Sequence, residues 1–549
     1  MSLDTYLHGI YTEEVPTVLT PMITVAAPTV AFGTAPVHLA SAPVAANTPV
    51  LCNTLADFVS AFGWSDDFDS YTLCEVARVH FQLFRTAPVI FVNVLDTDKH
   101  VKTGSLTVEG VANPATIPLP IVLSTIKISS GSKPVTATVL GVTDDEPITI
   151  PATINAADMT VKAGDVELAL TTDYTIGTGT IILTEAGLAK VDGSLTFTSG
   201  EDTYVEFTAD DYTAAHDDNG ATVITVISTN KVVDDKIAIS YSAVDAAAVG
   251  ASDIIGGVDS DGQNTGLELI EEIYPRFSLV PGSIIAPKFS TDTAVAAIMK
   301  AKATDINGVF KSMAIVDIST DEARRYTDAN AIKNQNNLVD SHLIVCYPKV
   351  ALGGVQYHLS NQAAAVCAVT DSNHSDIPYK SPSNENLQAD QSILADGTDA
   401  FLGKAAANYL NSVGIVTALN FIGGWKLWGN RTSVYPADSD PKDAFIACRR
   451  MMNWVSNTLV TSFWSKIDEP INRRLVESVV QRANVWFNGL QARGAILGGR
   501  CEFNRSDNPD TDLADGILHF KVYLGLIPPA RAITFTLEFD TTYFNSLFE

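Results

Sequence analysis

Reactive residues are scarce in these 549 residues: six cysteines and nine histidines, none spaced for chemistry. Cys52, Cys74, Cys346, Cys367, Cys448 and Cys501 form no CxxC pair, which removes the zinc-ribbon and redox-motif classes and predicts buried thiols in a reducing compartment. No GxSxG elbow, HExxH helix, Walker loop or dinucleotide fingerprint occurs, so the chain offers no catalytic centre, no cofactor site and no metal site. Asp259–Gly262 loosely resembles a calcium loop, but the residue where a bidentate Glu would stand is Ile270. Basic residues are few as well. The 35 Lys and Arg against 63 Asp and Glu leave a net charge of −28, and nothing would neutralise phosphates, so nucleic acid is not expected as a direct partner. Long apolar runs are missing: Val25–Leu51 is interrupted by prolines, and no membrane insertion is expected. Met1–Pro16 has neither a basic segment nor an apolar core, so it does not read as a signal peptide, and assembly in a cytoplasm is expected. The expectation is a protein without enzymatic activity.

What is present folds. Hydrophobic content of 46% and the length imply several domains rather than one core. Composition breaks sharply after Asp96. Residues 101–250 hold no Arg, Trp or Cys, but 24 Thr and 20 Asp or Glu against 7 Lys, a net −13 block. Short β-branched runs separated by Gly, Asp and Asn turns predict a sandwich or barrel there. Thr172–Thr175 and Asp210–Thr213 form a weak internal repeat, each ahead of a strand pair. On both sides of the block, helical periodicity alternates with buried strands, as in Pro88–Leu95, Ser283–Ala286, Met313–Ile318 and Leu343–Tyr347. The fold class predicted is a multidomain α/β core layer with an inserted all-β domain and an α+β C-terminal domain. Its parts are an extended arm (1–20), a discontinuous core (21–97 and 246–420), the acidic insertion (98–245) and an inner C-terminal domain (421–549).

The C-terminal third carries the clearest patterns. Asp440-Pro441 starts one predicted helix and Asp468–Pro470 another, the second with Ile471, Leu475, Val479, Ala483, Trp486 and Leu490 inward. Ten of the fifteen arginines follow residue 420. Ile517–Leu524 reads as a strand, Pro528-Pro529 breaks it, and Ala532–Phe539 alternates, with Ile533, Phe535, Leu537 and Phe539 on one face. A strand so near the end is expected at a sheet edge, where another chain can pair with it.

Three stretches together resemble the tail sheath proteins of contractile bacteriophage tails and R-type pyocin-like devices. Leu359–Asp371 followed by Lys380–Asn384 looks like the family's Ala-rich helix and its Ser-Pro-x-Asn turn. Ala407–Ile415 and then Gly423, Trp425, Trp428, Gly429, Arg431 and Thr432 resemble its most specific motif, although Ser433 stands where an apolar residue is usual. Gly9–Pro16 is similar to the opening arm. The resemblance covers roughly 1–96 and 250–549 and leaves the acidic block unmatched. It implies a structural subunit of a virion tail that forms hexameric rings stacked into a helical sheath, with tail tube, baseplate and tail-terminator proteins as partners. Contraction would then drive the tube through a host envelope. It also implies strand exchange between subunits through Gly9, Ile10, Tyr11, Thr12, Glu13 and Val15, and through Ile533, Phe535, Leu537 and Phe539. Arg473, Arg474, Arg482 and Arg493 are the candidates to face an acidic tube. A secreted adhesin or surface-layer protein, suggested by the Thr-rich block, is the alternative.

Overall fold

The computed structural model describes residues 27–109, 115–117, 121–142, 146–200, 202–217 and 221–547, which leaves the expected arm outside the described residues. The chain forms two compact units, one of residues up to Asp96 and from Val249 onward, the other Thr97–Ala248. The first unit opens with strands β1 (Thr29–Gly33), β2 (Val50–Cys52) and β3 (Val89–Asn93) and helices α1 (Leu55–Phe62) and α2 (Thr72–Ala77). Thr54 starts α1 through a capping box with Asp57, satisfying two otherwise orphaned amides. After α2 the chain runs on as a π-helix at Arg78–Phe84.

The second unit is entirely β apart from short turns, and it is a sandwich within a sandwich. The outer lobe begins with β4 (Val101–Glu109), β5 (Ala115–Ile117) and β6 (Lys127–Ser130). An inner lobe follows: β7 (Val135–Val142), β8 (Ile148–Thr149), β9 (Thr160–Ala163), β10 (Val166–Leu168), β11 (Tyr174–Ile176), β12 (Thr180–Leu183) and β13 (Gly193–Ser199). The outer lobe then resumes with β14 (Val205–Glu206), β15 (Tyr212–His216), β16 (Thr222–Val226) and β17 (Lys236–Val244). The inner sheets run β10-β9-β13-β7 and β11-β12-β8; the outer sheets run β14-β6-β17-β4 and β15-β16-β5. Strand for strand these are the same topology. The Asp-Tyr-Thr repeat falls at equivalent places, the starts of β11 and β15. In each copy the aspartate is buried and holds a lysine from the following turn: Asp173 with Lys190 at 2.7 Å and Asp211 with Lys231 at 2.6 Å. Each lobe has its own apolar core, around Phe197, Leu195 and Val161 in one and around Ile237, Ile239 and Ile128 in the other.

The first unit resumes with β18 (Ser283–Ile285), α3 (Thr293–Thr304), β19 (Met313–Asp317), α4 (Tyr326–Gln335), β20 (Leu343–Cys346), α5 (Leu359–Ser372), α6 (Lys404–Ser412), β21 (Ile415–Asn420) and β22 (Trp425–Trp428). These strands join the first three in one eight-stranded sheet ordered β2-β3-β1-β18-β19-β20-β21-β22, with β1, β3 and β18 to β21 parallel. Parallel strands buried on both faces explain their unbroken apolar runs. Residues 266–272 form a 3-10 helix, and α4 begins at Tyr326. The chain continues into α7 (Ile446–Phe463), α8 (Arg473–Ala492), β23 (Gly498–Glu502) and β24 (Lys521–Gly525). All six cysteines are buried and unpaired.

Candidate functional site

The Ala-rich stretch is α5, and both of its ends are held by buried charge. At its start Glu75 accepts from the His358 amide at 2.8 Å and from Asn361 Nδ2 at 3.1 Å, while Asp317 accepts from the Ser360 amide at 2.9 Å. Carboxylates are favourable there because the first helical amides lack partners and the dipole is positive. Desolvation raises the Asp317 carboxyl above its ordinary range. At the far end Asp371 receives a two-pronged ion pair from Arg450 of α7, the first prong at 3.0 Å. Removing either partner would strand a buried charge. Helix α7 also reads backbone: Asn457 accepts from the Lys311 amide at 3.0 Å and donates to the Lys311 carbonyl at 2.8 Å.

The motif from Gly423 to Thr432 braces the sheet to these helices. Trp425 and Trp428 bound β22, and with the Asn411 amide oriented to satisfy its neighbours, its oxygen accepts from Trp428 Nε1 at 3.1 Å. Gly429 has φ of +146°, and a Cβ there would meet the Asn411 side-chain amide and Val416 Cα, each at 2.9 Å. The Arg431 guanidinium lies 3.8 Å from the Phe445 ring centroid and 4.4 Å from that of Tyr435. Thr432 Oγ1 donates to the Asp443 carbonyl at 2.6 Å. The buried Ser433 exchanges hydrogen bonds with Asp340, donating to its carbonyl and accepting from its amide at 3.0 Å each, which accounts for a polar residue at that place.

The expected strand Ala532–Phe539 pairs with no other strand among the described residues. Residues 526–540 carry no strand assignment, and Ile533, Phe535, Leu537 and Phe539 are 74%, 84%, 95% and 79% exposed. A strand needs a ladder partner to form, and among the described residues this segment has none. Close in sequence lies the opposite shape. Helices α7 and α8 and strands β23 and β24 enclose an apolar groove of about 420 Å³, lined by Leu459, Phe463, Leu475, Val479, Phe520 and Val522 among others. β24 pairs only with β23. Asn484 of α8 covers the other edge of β23 at Cys501, bonding both its amide and its carbonyl, which leaves the outer edge of β24 without a strand partner among the described residues.

The four arginines do not form one patch. α8 starts at Arg473, with Asn472 as its cap, so Ile471, expected inward on that helix, precedes it and is 41% exposed. The Pro470 start expected from sequence loses to the Asn472 side chain, which accepts from the Leu475 amide at 2.9 Å. Arg473 pairs with Glu477 at 2.6 Å, and Arg474 is exposed beside it. Arg482 lies against Phe463, 5.6 Å from the ring centroid. Arg493 ends the helix, roughly 30 Å from Arg473 at 1.5 Å per residue. Gly9 to Val15 lie outside the described residues. The groove and the open edge of β24 carry no sequence motif; the only signal near them is the apolar run Ile517–Leu524, of which Lys521–Gly525 forms the strand.

Residues 438–540 match the phage tail sheath C-terminal domain family. The chain is 28% identical over 364 residues to the tail sheath protein of Burkholderia phage BcepMu, covering 64% of this chain and 73% of that one. It is 24% identical over 332 residues to the major tail sheath protein of Serratia phage KSP20, covering 58% and 80%. In fold it is similar to the helical sheath of the anti-feeding prophage in its contracted state, with a TM-score of 0.50 at 12% identity, over 98% of this chain and 100% of that one. The matched domain and relatives aligned over most of their length agree: the chain carries a phage tail sheath C-terminal domain at residues 438–540 and is similar to tail sheath proteins over most of its length.

Proposed function

We propose that this structural subunit of a contractile tail sheath is linked to its neighbours by exchanged strands, with Ile533, Phe535, Leu537 and Phe539 of one copy seated in the groove of the next. The observation that carries this reading is the occurrence together of an exposed alternating apolar segment and an apolar groove beside a strand edge that has no strand partner among the described residues. Main-chain hydrogen bonds to β24 would supply the ladder, and alternate side chains would set the register. Burying four large apolar side chains is worth about 6–12 kcal/mol before ordering costs. Gly9–Val15 are proposed as the second exchanged segment. A contact between unlike surfaces propagates rather than closing as a dimer, which suits stacked rings. Contraction, on this reading, is a rigid-body rearrangement of subunits that stay linked by their exchanged ends.

The tube contact proposed is narrower than four arginines. Arg473 and Arg474 occupy the first turn of α8, where the helix dipole disfavours cations; an acidic partner would offset that. The inner C-terminal domain, the baseplate and terminator partners and the virion location belong to the same proposal.

The test is Phe535→Asp combined with Leu537→Asp. The expected outcome is a folded, soluble monomer that makes no tubes under negative-stain microscopy. Regular tubes from this variant would refute strand exchange. For the tube, Arg473→Glu with Arg474→Glu is expected to leave tubes of sheath intact and to abolish low-salt co-sedimentation with tube protein; undiminished binding would remove these residues from the interface.

A further inference from the structure

The open edge of β24 presents two unlike rows. Phe520 and Val522 line the groove, and Leu524 and Leu526 pack with Phe520 on the buried cluster beneath it, so the even positions from 520 to 526 are apolar throughout. The odd positions face the other way, as the pleat requires. Lys521 is exposed and holds Asp507 at 3.1 Å, and the Arg500 guanidinium lies 4.0 Å from the Tyr523 ring centroid. Across the hairpin, Lys521 stands opposite Glu502 on β23, Tyr523 opposite Arg500, and Gly525 opposite Gly498. The exposed segment has the matching pattern. Ile533, Phe535, Leu537 and Phe539 form its apolar row, and Glu538 is the one charged residue from Ala532 to Phe539. Neither Phe520–Leu526 nor Ala532–Phe539 contains proline, so every amide in both can join a ladder.

Seating all four apolar residues on the four even positions leaves two registers. In the antiparallel one, Phe539 lies opposite Phe520, Leu537 opposite Val522, Phe535 opposite Leu524 and Ile533 opposite Leu526, which sets Glu538 opposite Lys521. In the parallel one the order reverses: Thr534 meets Lys521, and Glu538 falls opposite Gly525, where neither strand of the hairpin offers a charge. Opposite charges on facing residues stabilise a sheet, and an ammonium with three donors can take Glu538 while keeping Asp507. The antiparallel register also adds Phe539 to the Phe503–Phe520 ring pair, whose centroids are 5.5 Å apart. Within one chain the same pairing would need a turn through Ile527–Ala532, where Pro528-Pro529 hold the backbone extended. We propose that the terminal segment of one copy joins β24 of a second copy antiparallel, in the register that pairs Glu538 with Lys521. This pairing rests on the exchange reading above and deepens it by fixing the direction, the register and the charges that select them.

The experiment is oxidative cross-linking of assembled full-length chains that carry one introduced cysteine pair, with Lys521 and Glu538 intact; the six native thiols are buried. Val522→Cys with Leu537→Cys is expected to give covalent multimers on a denaturing gel, and Val522→Cys with Phe535→Cys to give none. The reverse result, or tubes that cross-link through neither pair, would overturn the register. A disulfide closed within single chains would show the segment folded back on its own β24 and overturn it too. The charges are tested separately. Lys521→Glu is expected to raise the subunit concentration needed for tubes by about fivefold, and Glu538→Lys to do the same. Combining the two should bring assembly back to within about twofold of the parent, since the cycle isolates the pairwise coupling; unchanged assembly by both single variants, or no rescue, would remove this pair. A chain ending at Arg531 separates the two ideas. It keeps β24 and lacks the donated strand: tubes from it would refute strand exchange itself, whereas loss of tubes there together with cross-links through Phe535→Cys would refute only the antiparallel register.

Discussion

The inner and outer lobes of the insertion share every strand pairing and almost no sequence. What both retain is the alternation of apolar residues and one buried ion pair, Asp173–Lys190 in the inner lobe and Asp211–Lys231 in the outer. What differs is at the rim. The outer edge strand β4 carries Lys102 and Glu109, the latter 2.8 Å from Lys236, while its inner counterpart β7 has no charged residue and leaves Leu140 78% exposed. The comparison separates what the topology requires, a core and a pinned hairpin, from what is free to change. It also shows a module that accepts another copy of itself. The inner lobe leaves and rejoins at paired positions: Ser130 lies opposite Val205, and Ser132 and Thr203 exchange hydrogen bonds of 3.0 and 3.1 Å.

The largest effect expected from breaking this comparison comes from the inner core. Phe197→Ala, at a fully buried position, is expected to cost about 3–5 kcal/mol. Native-state hydrogen exchange should then lose protection over β7 to β13 while β17 keeps its own. Simultaneous loss in both lobes would show that they are one cooperative unit.

The first unit solves a buried charge differently, and that contrast can be measured. Lys333 is buried with no carboxylate: its Nζ donates to the Val413 carbonyl at 2.6 Å and to that of Tyr435 at 3.2 Å. Burial pushes its pKa down to about 8. The unfolded chain therefore binds more protons between pH 8 and about 10.5, and stability should rise across that window by about 3 kcal/mol. Lys333→Met is expected to flatten the slope in denaturant titrations; an unchanged slope would show that the lysine does not carry it.

For the two insertion aspartates the slope has the same sign, because their folded-state pKa values are lowered too, but the window lies at acid pH. The lysine hydrogen bond to each, joined by backbone amides, holds both carboxyls below the usual range. Their stabilisation is present above about pH 4 and is lost as pH falls further. Asp173→Asn should blunt acid unfolding of the inner lobe only, and Asp211→Asn that of the outer lobe only, followed by exchange at pH 3. The smallest effect is expected from removing the whole module. Val101 pairs with Val244, and the Asp245 amide donates to the His100 carbonyl at 2.9 Å, so the ends of the insertion are adjacent. Replacing residues 100–245 with a short Gly/Ser linker should leave the melting of the remaining unit within a few degrees and tube assembly intact; loss of folding would make the insertion part of the core.

Much of this was legible along the chain. Unbroken apolar runs such as Val89–Asn93 and Met313–Asp317 declare strands buried on both faces, because only such a strand dispenses with alternation. The change in composition after Asp96 marked a separate module, since a net −13 stretch without Arg or Trp is unlike its flanks. The alternation of Ile533 to Phe539 marked a strand. The sequence determined these things because they depend on local periodicity and composition. Tertiary structure alone decided the rest. Whether Ala532–Phe539 is a strand depends on a partner that the described residues do not supply, so periodicity named the shape and packing withheld it. That the Asp-Tyr-Thr repeat marks a nested duplication emerged only when both sandwiches closed, because pairing order is a long-range property. The start of α8 was settled by the Asn472 side chain rather than by Pro470. The groove is built from α7, α8, β23 and β24, residues as much as 63 positions apart along the chain (Leu459 to Val522), and no local pattern could announce it.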